Sequence, residues 1–245
     1  MPNKTQTEVV IDVLKHHEGI ATLGRIIRDT LDHPDFHFTG RTPDANIRRI
    51  VQTHPEAIFK IRPGLYGLLS YKDALIEQKL ITRSTHLDDH DTRISHAYYQ
   101  GLLLELGNYR NFQTFAPQQD KNQLYVDRPL YKVRSLDAIL EFSYPNLVKR
   151  AQTIDTIWFN ERGLPNSFFE VENSTDIQNS LLKFNDLQDF YVRMVIVAHE
   201  SKRTKFESLR QNTSFAAIKD RVTFCNYETL VRDHTYQITR QQGFI

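Results

Sequence analysis

The stretch Ile154–Leu187, IDTIWFNERGLPNSFFEVENSTDIQNSLLKFNDL, is the part of the chain that most strongly predicts its fold. It contains two apolar, strand-like runs: IDTIWF carries Asp155, and NSFFEVE ends in Glu170 and Glu172. Because side chains two residues apart on a strand lie on the same face, Glu170 and Glu172 point to one side. If the two strands are neighbours, Asp155 joins them. Three converging carboxylates repel one another unless a hard divalent cation binds between them, so the stretch predicts a metal site.

The apolar residues around these acids indicate buried strands. Glutamates on an isolated strand usually face solvent, but here Phe168, Phe169 and Val171 surround them, and Asp155 lies on an equally apolar run. We therefore expect a catalytic cluster rather than a solvated acidic face, with phosphodiester hydrolysis as the use of its cation.

Composition narrows the class of protein only moderately. The chain has 245 residues, 40% of them hydrophobic, with a net charge of +1 that neither supports nor excludes a nucleic-acid partner. Cys225 is the only cysteine, which excludes an internal disulfide and a cysteine-based zinc site. There is neither a membrane-length apolar run nor a signal-peptide pattern, so we expect no membrane partner and, by default, a cytoplasmic location. No GxGxxG, P-loop, GxSxG or HExxH pattern occurs, which argues against nucleotide hydrolysis and the common hydrolase mechanisms.

Residues 1–70 predict a small α+β domain. Three amphipathic helical patterns are followed by a strand, a turn and a strand: VVIDVLKHH, LGRIIRDTLD, DANIRRIVQTH and AIFKIRPGLYGLL. Three helices and a β-hairpin are the order of a winged helix-turn-helix. The spacing of TPDANIRRI ahead of IFKIRPGLYGLL resembles the HARE-HTH winged-helix family over about sixty residues.

That resemblance implies a DNA-binding domain. Its third helix would enter the major groove through Arg48 and Arg49, and its wing would contact DNA through Lys60 and Arg62. The alternative is a packing or protein-interaction domain in which these side chains are merely solvated.

Residues 71–95 predict a linker that contains one short helix, and residues 96–245 a second domain. The second domain begins with the helix ISHAYYQGLLLELGNY, which we expect to end at Gly107. A strand, NFQTFAP, and a long irregular stretch from Gln118 to Ala151 precede the two acidic strands. A helix capped by Ser174 or Thr175, the strand RMVIVAH, a further helix and the strand RVTFCNY complete the pattern.

This order of elements resembles the PD-(D/E)XK nuclease superfamily over about 150 residues. IDTIWF takes the place of the first acidic motif, with Ile154 instead of proline before Asp155. FFEVE takes the place of the second, with Glu170 as its acid and Glu172 where the superfamily usually has lysine. The resemblance implies an α/β restriction-endonuclease-like domain, in which Asp155, Glu170 and Glu172 are catalytic and hold Mg²⁺.

Other assignments around the predicted site stay open. Glu172 would orient the attacking water, accept its proton or hold a second ion. Lys183, on the next helix, is a candidate for the missing lysine, although we expect it to be solvated. Glu105 could also bind the metal or be an ordinary surface glutamate. His96 and Gln100 could contact substrate or cap the core, and Trp158 should be a core residue.

The function that these patterns favour is a type II restriction endonuclease that cleaves double-stranded DNA at a specific sequence with Mg²⁺. One site cuts one strand, so a homodimer is expected. Base recognition would come from the winged helix, from the loops between Gln118 and Arg134, or from both. The alternatives are a structure-specific or methylation-dependent nuclease, and a non-catalytic DNA-binding regulator with a decayed nuclease fold, which the missing lysine favours.

Overall fold

The computed structural model describes residues 4–37, 41–81, 92–173 and 176–240, the side chains of 92–94 excepted. These residues form two compact units. The terminal unit combines the two ends of the chain, Met1–Asp88 and Val231–Ile245, and the central unit is Asp89–Leu230. Within the described ranges, none of the helices is both long and apolar enough to cross a membrane.

The terminal unit packs helices against a three-stranded antiparallel sheet. Its elements, in chain order, are α1 Gln6–His16, β1 Ile20–Thr22, α2 Leu23–Leu31, α3 Pro43–Thr53, β2 Ile58–Arg62, β3 Leu65–Leu68 and α4 Lys72–Glu77. The sheet order is β1-β3-β2. The three predicted helices and the hairpin around Pro63 are therefore present. The short strand β1 was not predicted, because three residues carry too little pattern to identify a strand.

The central unit is built on a five-stranded mixed sheet. Its elements are α5 Thr92–Tyr109, β4 Gln113–Phe115, β5 Leu124–Tyr125, β6 Arg128–Pro129, α6 Pro145–Ala151, β7 Thr156–Phe159, β8 Pro165–Glu172, α7 Ile177–Asn185, β9 Arg193–Ala198, α8 Arg203–Arg210, β10 Val222–Asn226 and α9 Tyr227–Arg240. The strand order is β10-β9-β8-β7-β4. Strands β8, β9 and β10 run parallel to one another, whereas β7 is antiparallel to both β8 and β4. The predicted α/β class is confirmed.

Strands β7 and β8 lie in the middle of this sheet, and their apolar side chains form the centre of the core. Phe159 and Phe168 are completely buried there, together with Phe184 of α7. Trp158 is buried as predicted, and its indole N–H donates to the carbonyl of Leu103 at 3.0 Å.

The prediction that Gly107 ends the first helix of this unit is wrong. Helix α5 continues to Tyr109, and Gly107 lies inside it. A Cβ atom at Gly107 would come within 2.5 Å of both the Trp158 Nε1 atom and the Thr114 Cγ2 atom. The glycine is therefore needed for close packing of helix against sheet rather than for a left-handed cap.

Two parts of the chain differ from the sequence prediction in organisation. The stretch from Gln118 to Ala151, expected to be irregular, contains the β5–β6 hairpin and α6. Helix α9 was not predicted, and from Val231 onward it belongs to the terminal unit, whereas 96–245 was expected to form one domain. The packing of Ile238 explains why this part of α9 belongs to the terminal unit. Its Cδ1 atom lies 3.1 Å from the position that a Cβ atom would take if Gly24 had one. Residues 82–91 of the predicted linker lie outside the described residues, as do the predicted caps Ser174 and Thr175.

Candidate active site

The pairing of β7 with β8 brings the predicted acids together. Thr156 of β7 faces Phe169 of β8, so Asp155, one residue earlier, lies beside Glu170. The Asp155 N–H donates to Glu170 Oε1 at 3.3 Å, and the Val171 N–H donates to Asp155 Oδ2 at 2.8 Å. Asp155, Glu170 and Glu172 all line one cavity of about 340 Å³ in the central unit.

All three carboxylates are almost removed from solvent. Asp155 and Glu172 are 8% exposed, and Glu170 is 2% exposed. Burial and the neighbouring charge of Asp155 raise the pKa of the Glu170 carboxyl well above its ordinary value, although Lys183 opposes the shift. Three acidic side chains are thus concentrated in a site where they have little exposure to solvent.

Lys183 is not solvated, and that expectation was wrong. Its side chain is 16% exposed, and its Nζ atom lies 2.8 Å from Glu170 Oε2 and 2.9 Å from the carbonyl oxygen of Thr153. Burial lowers the pKa of the Lys183 ammonium, but the charges of Glu170 and Asp155 outweigh burial and raise it. A positive charge therefore occupies the site, supplied from α7 instead of from β8.

Ser180, which the sequence analysis missed, lies on the same face of α7 as Lys183. Its side chain is fully buried, and its hydroxyl is within hydrogen-bonding distance of Glu170 Oε2, at 3.2 Å, and of Glu172 Oε1. Residues three apart on a helix share a face. That spacing, together with the nearby acidic strand, is the signal by which the pair could have been found.

A second group of residues reaches the cavity from α5 and from the loop that precedes β5. His96 Nε2 lies 3.6 Å from Asp155 Oδ2. The buried amide of Gln100 donates to the Asp155 carbonyl at 2.5 Å and to Asp120 Oδ2 at 3.4 Å. Gln123 donates to the other oxygen of Asp120, Oδ1, at 2.8 Å. The sequence left open whether His96 and Gln100 contact substrate or cap the core. In the structure, His96 lines the cavity, whereas Gln100 is buried and connects its neighbours by hydrogen bonds.

Asp120 is the acidic residue of the cavity that the sequence analysis did not identify. It is buried, and burial followed by the charge of Asp155 raises the pKa of its carboxyl. Ligand atoms of His96, Asp120 and Asp155 all lie within 4.8 Å of one another, a grouping that could hold a metal ion.

Glu105, by contrast, does not line this cavity. It is buried in α5, where its carboxylate accepts a hydrogen bond from the Tyr125 hydroxyl at 2.7 Å and pairs with Arg128 at 2.6 Å. Both partners belong to the β5–β6 hairpin. Glu105 therefore attaches the hairpin to α5, and the suggestion that it binds the metal is not supported.

The residues predicted to contact DNA lie in the terminal unit. Arg49 is exposed on α3, with a hydrogen bond to Asn46 Oδ1 at 3.2 Å, and Arg48 beside it is half-buried. Lys60 is exposed and Arg62 is half-buried on β2. Their role in DNA binding stays a prediction.

The mixed sheet, with an acid-lined cavity beside its central strands, is consistent with a restriction-enzyme-like domain. Residues 78–243 match the profile of the family described as type II restriction enzyme NmeDI C-terminal domain. Because the match extends over more than half of the chain, the chain belongs to this family.

A full-length relative is also similar. The type II restriction enzyme NmeDI of Neisseria meningitidis serogroup C is 31% identical over 189 residues, which cover 66% of this chain and 53% of that protein. The chain therefore matches about half the length of this relative. No solved structure matches the chain significantly.

Proposed function

We propose that the chain is a type II restriction endonuclease that hydrolyses phosphodiester bonds of double-stranded DNA with Mg²⁺. The observation that carries the proposal is the grouping of three buried carboxylates and a lysine in one cavity of the central unit. Membership of a restriction-enzyme family supports it from an independent direction.

The proposal assigns the central unit to the PD-(D/E)XK superfamily. The supporting features are the succession α5, β4, β7, β8, α7, β9 and the location of Asp155, which immediately precedes β7, beside Glu170 of the adjacent strand β8. Glu172 stands where lysine is usual, and Lys183 Nζ, 2.8 Å from Glu170, provides a cation from the neighbouring helix. The alternative of a decayed, non-catalytic fold was favoured by the missing lysine, and Lys183 weakens that reason.

The donor set of the cavity fits a hard divalent cation. Carboxylate oxygens are the ligands that Mg²⁺ prefers, and the cavity combines several of them with little solvent exposure. Asp155 and Glu170 would hold the ion, together with the main-chain carbonyl of Val171. Bound Mg²⁺ would lower the pKa of a water molecule and neutralise charge on the phosphate.

The protein's own groups then have distinct tasks in the proposed reaction. Lys183 would stabilise the negative charge that develops on the scissile phosphate, because its ammonium is already held inside the cavity. Glu172 would orient the attacking water and accept its proton. Ser180, whose hydroxyl lies within hydrogen-bonding distance of the carboxylates of Glu170 and Glu172, would donate to either one and hold the two close together.

We further propose that the terminal unit is a winged helix that binds DNA. The succession α1, β1, α2, α3, β2, β3 and the sheet order β1-β3-β2 support this assignment. Arg48 and Arg49 on α3 would enter the major groove, and Lys60 and Arg62 on β2 would contact the backbone. Since one active site cuts one strand, we propose a homodimer for double-strand cleavage.

Digestion of plasmid and phage DNA, methylated and unmethylated, tests the function. We expect discrete bands in Mg²⁺ from the wild type and none from Asp155→Asn or Glu170→Gln. The matched control is Glu161→Gln, an exposed acid in the turn between β7 and β8, which should cut like the wild type. Smeared products would indicate a non-specific nuclease, and cleavage of methylated DNA alone a methylation-dependent one. No cleavage of any DNA would refute the enzymatic proposal.

A further inference from the structure

We propose that His96, Asp120 and Asp155 form a second cation position, selective for transition-metal ions such as Mn²⁺, beside the Mg²⁺ position. The inference rests on the proposed function, because Asp155 would be shared between the two ions. It adds a helix residue and a loop residue to a site that otherwise depends on β7 and β8.

The distances between the donor atoms fit a single ion. Ligand atoms of the three side chains lie within 4.8 Å of one another, and His96 Nε2 is 3.6 Å from Asp155 Oδ2. Metal–ligand bonds of about 2.1 Å place opposite donors about 4.2 Å apart. Three donors cannot all be opposite one another, and adjacent donors lie about 3.0 Å apart, so side-chain movements of about 0.5 to 2 Å would complete the coordination.

A fully buried amide holds the two acidic residues of the proposed site in place. Gln100 is 0% exposed, and its Nε2 atom donates to both the Asp155 carbonyl and the Asp120 carboxylate. Its Oε1 atom is buried without a hydrogen-bond partner among the residues that the structure describes. Gln123 holds the second oxygen of Asp120. Ordering of ligands by a surrounding layer of hydrogen bonds is characteristic of metal sites in proteins.

The imidazole indicates which ions this position would accept. Mg²⁺ and Ca²⁺ are bound almost entirely by oxygen, whereas imidazole nitrogen suits transition-metal ions. One nitrogen and two carboxylates form a mixed-donor set that Mn²⁺ accepts, and later first-row ions such as Zn²⁺ bind such a set more tightly. In contrast, Asp155, Glu170 and the Val171 carbonyl present oxygen only. Two cation positions with different donor atoms would therefore share the carboxylate of Asp155: one with nitrogen and oxygen donors, and one with oxygen donors only.

Direct Mn²⁺ binding to the full chain, without DNA, tests the proposal. Electron spin-echo spectra of the Mn²⁺-loaded protein should show coupling to the ¹⁴N nucleus of one imidazole. His96→Gln should abolish the coupling. In calorimetric titration it should also lower the affinity for one of the bound Mn²⁺ ions by about 10-fold or more. The matched control, His199→Gln, replaces an exposed histidine of the same unit and should leave both unchanged.

Further outcomes separate this proposal from the proposed function. Asp120→Asn should also lower the affinity for this Mn²⁺ ion. In both His96→Gln and Asp120→Asn, the affinity for Mg²⁺ should stay close to that of the wild type. Absence of ¹⁴N coupling in the wild type, or its persistence in His96→Gln, would overturn the second position. Nitrogen-coupled Mn²⁺ in a protein that cuts no DNA would uphold the second position and refute the nuclease.

Discussion

Replacing Lys183 with methionine removes the cation that faces Glu170, a carboxylate that is only 2% exposed. At the observed 2.8 Å and an effective dielectric constant of about 20, Coulomb's law gives about 6 kcal/mol of attraction. The cost of desolvating both groups offsets part of this, and breaking a buried pair from one side costs about 3–5 kcal/mol. Because Ser180 and the Asp155 N–H also bind Glu170, we expect about 3 kcal/mol of destabilisation.

Urea unfolding at pH 7 in EDTA measures this loss. Trp158 is the single tryptophan of the chain and is buried in the central unit, so its fluorescence follows the unfolding of that unit. The double variant Glu170→Gln/Lys183→Met removes both charges of this pair and should come within about 1 kcal/mol of the wild type. A loss below about 0.5 kcal/mol for Lys183→Met, or no recovery in the double variant, would refute the reasoning.

Two further predictions concern the terminal unit. Burial raises the pKa of the Asp29 carboxyl, but hydrogen bonds from His17 and Arg28 outweigh burial and lower it to about 2 from its ordinary 3.8. A carboxyl whose pKa is lower in the folded state than in the unfolded state stabilises the fold at pH values above the unfolded-state pKa. Asp29→Asn should therefore lower the free energy of unfolding by about 2 kcal/mol at pH 7. The wild type should lose this stability advantage over Asp29→Asn as the pH falls from 3.8 toward about 2. Urea titrations followed by circular dichroism measure it, and an equal loss of stability with acid in both proteins would contradict the lowered pKa of Asp29. Replacing Arg48 and Arg49 with alanine should weaken DNA binding and reduce the salt slope by about one per lost phosphate contact, whereas an unchanged slope would show that α3 does not face DNA.

The strand acids could be predicted because local pattern was sufficient to define them. The period of two on β8 put Glu170 and Glu172 on one face, and the apolar neighbours indicated burial. Pairing of β7 with β8 then brought Asp155 beside them, as expected for strands joined by a short turn.

The rest of the cavity depends on contacts that no local pattern encodes. Asp120 reaches Asp155 only because Gln100 and Gln123 fix the loop that carries it. Lys183 looked like a solvated residue because lysine usually is one, and its burial follows from the packing of α7 against β8. Helix α9 was missed for a similar reason, since its sequence, YETLVRDHTYQITR, is largely polar.

The joining of residues from both chain ends in the terminal unit has a consequence for how members of this family can be recombined. Val231 and Ile238 of α9 contact glycines of the N-terminal segment, Gly64 and Gly24. A segment transferred by cutting only near residue 88 would be separated from its own residues 231–240, and the apolar side of those residues would lose its partners. Exchange of the whole terminal unit between relatives by recombination therefore requires two crossovers, one on either side of the central unit.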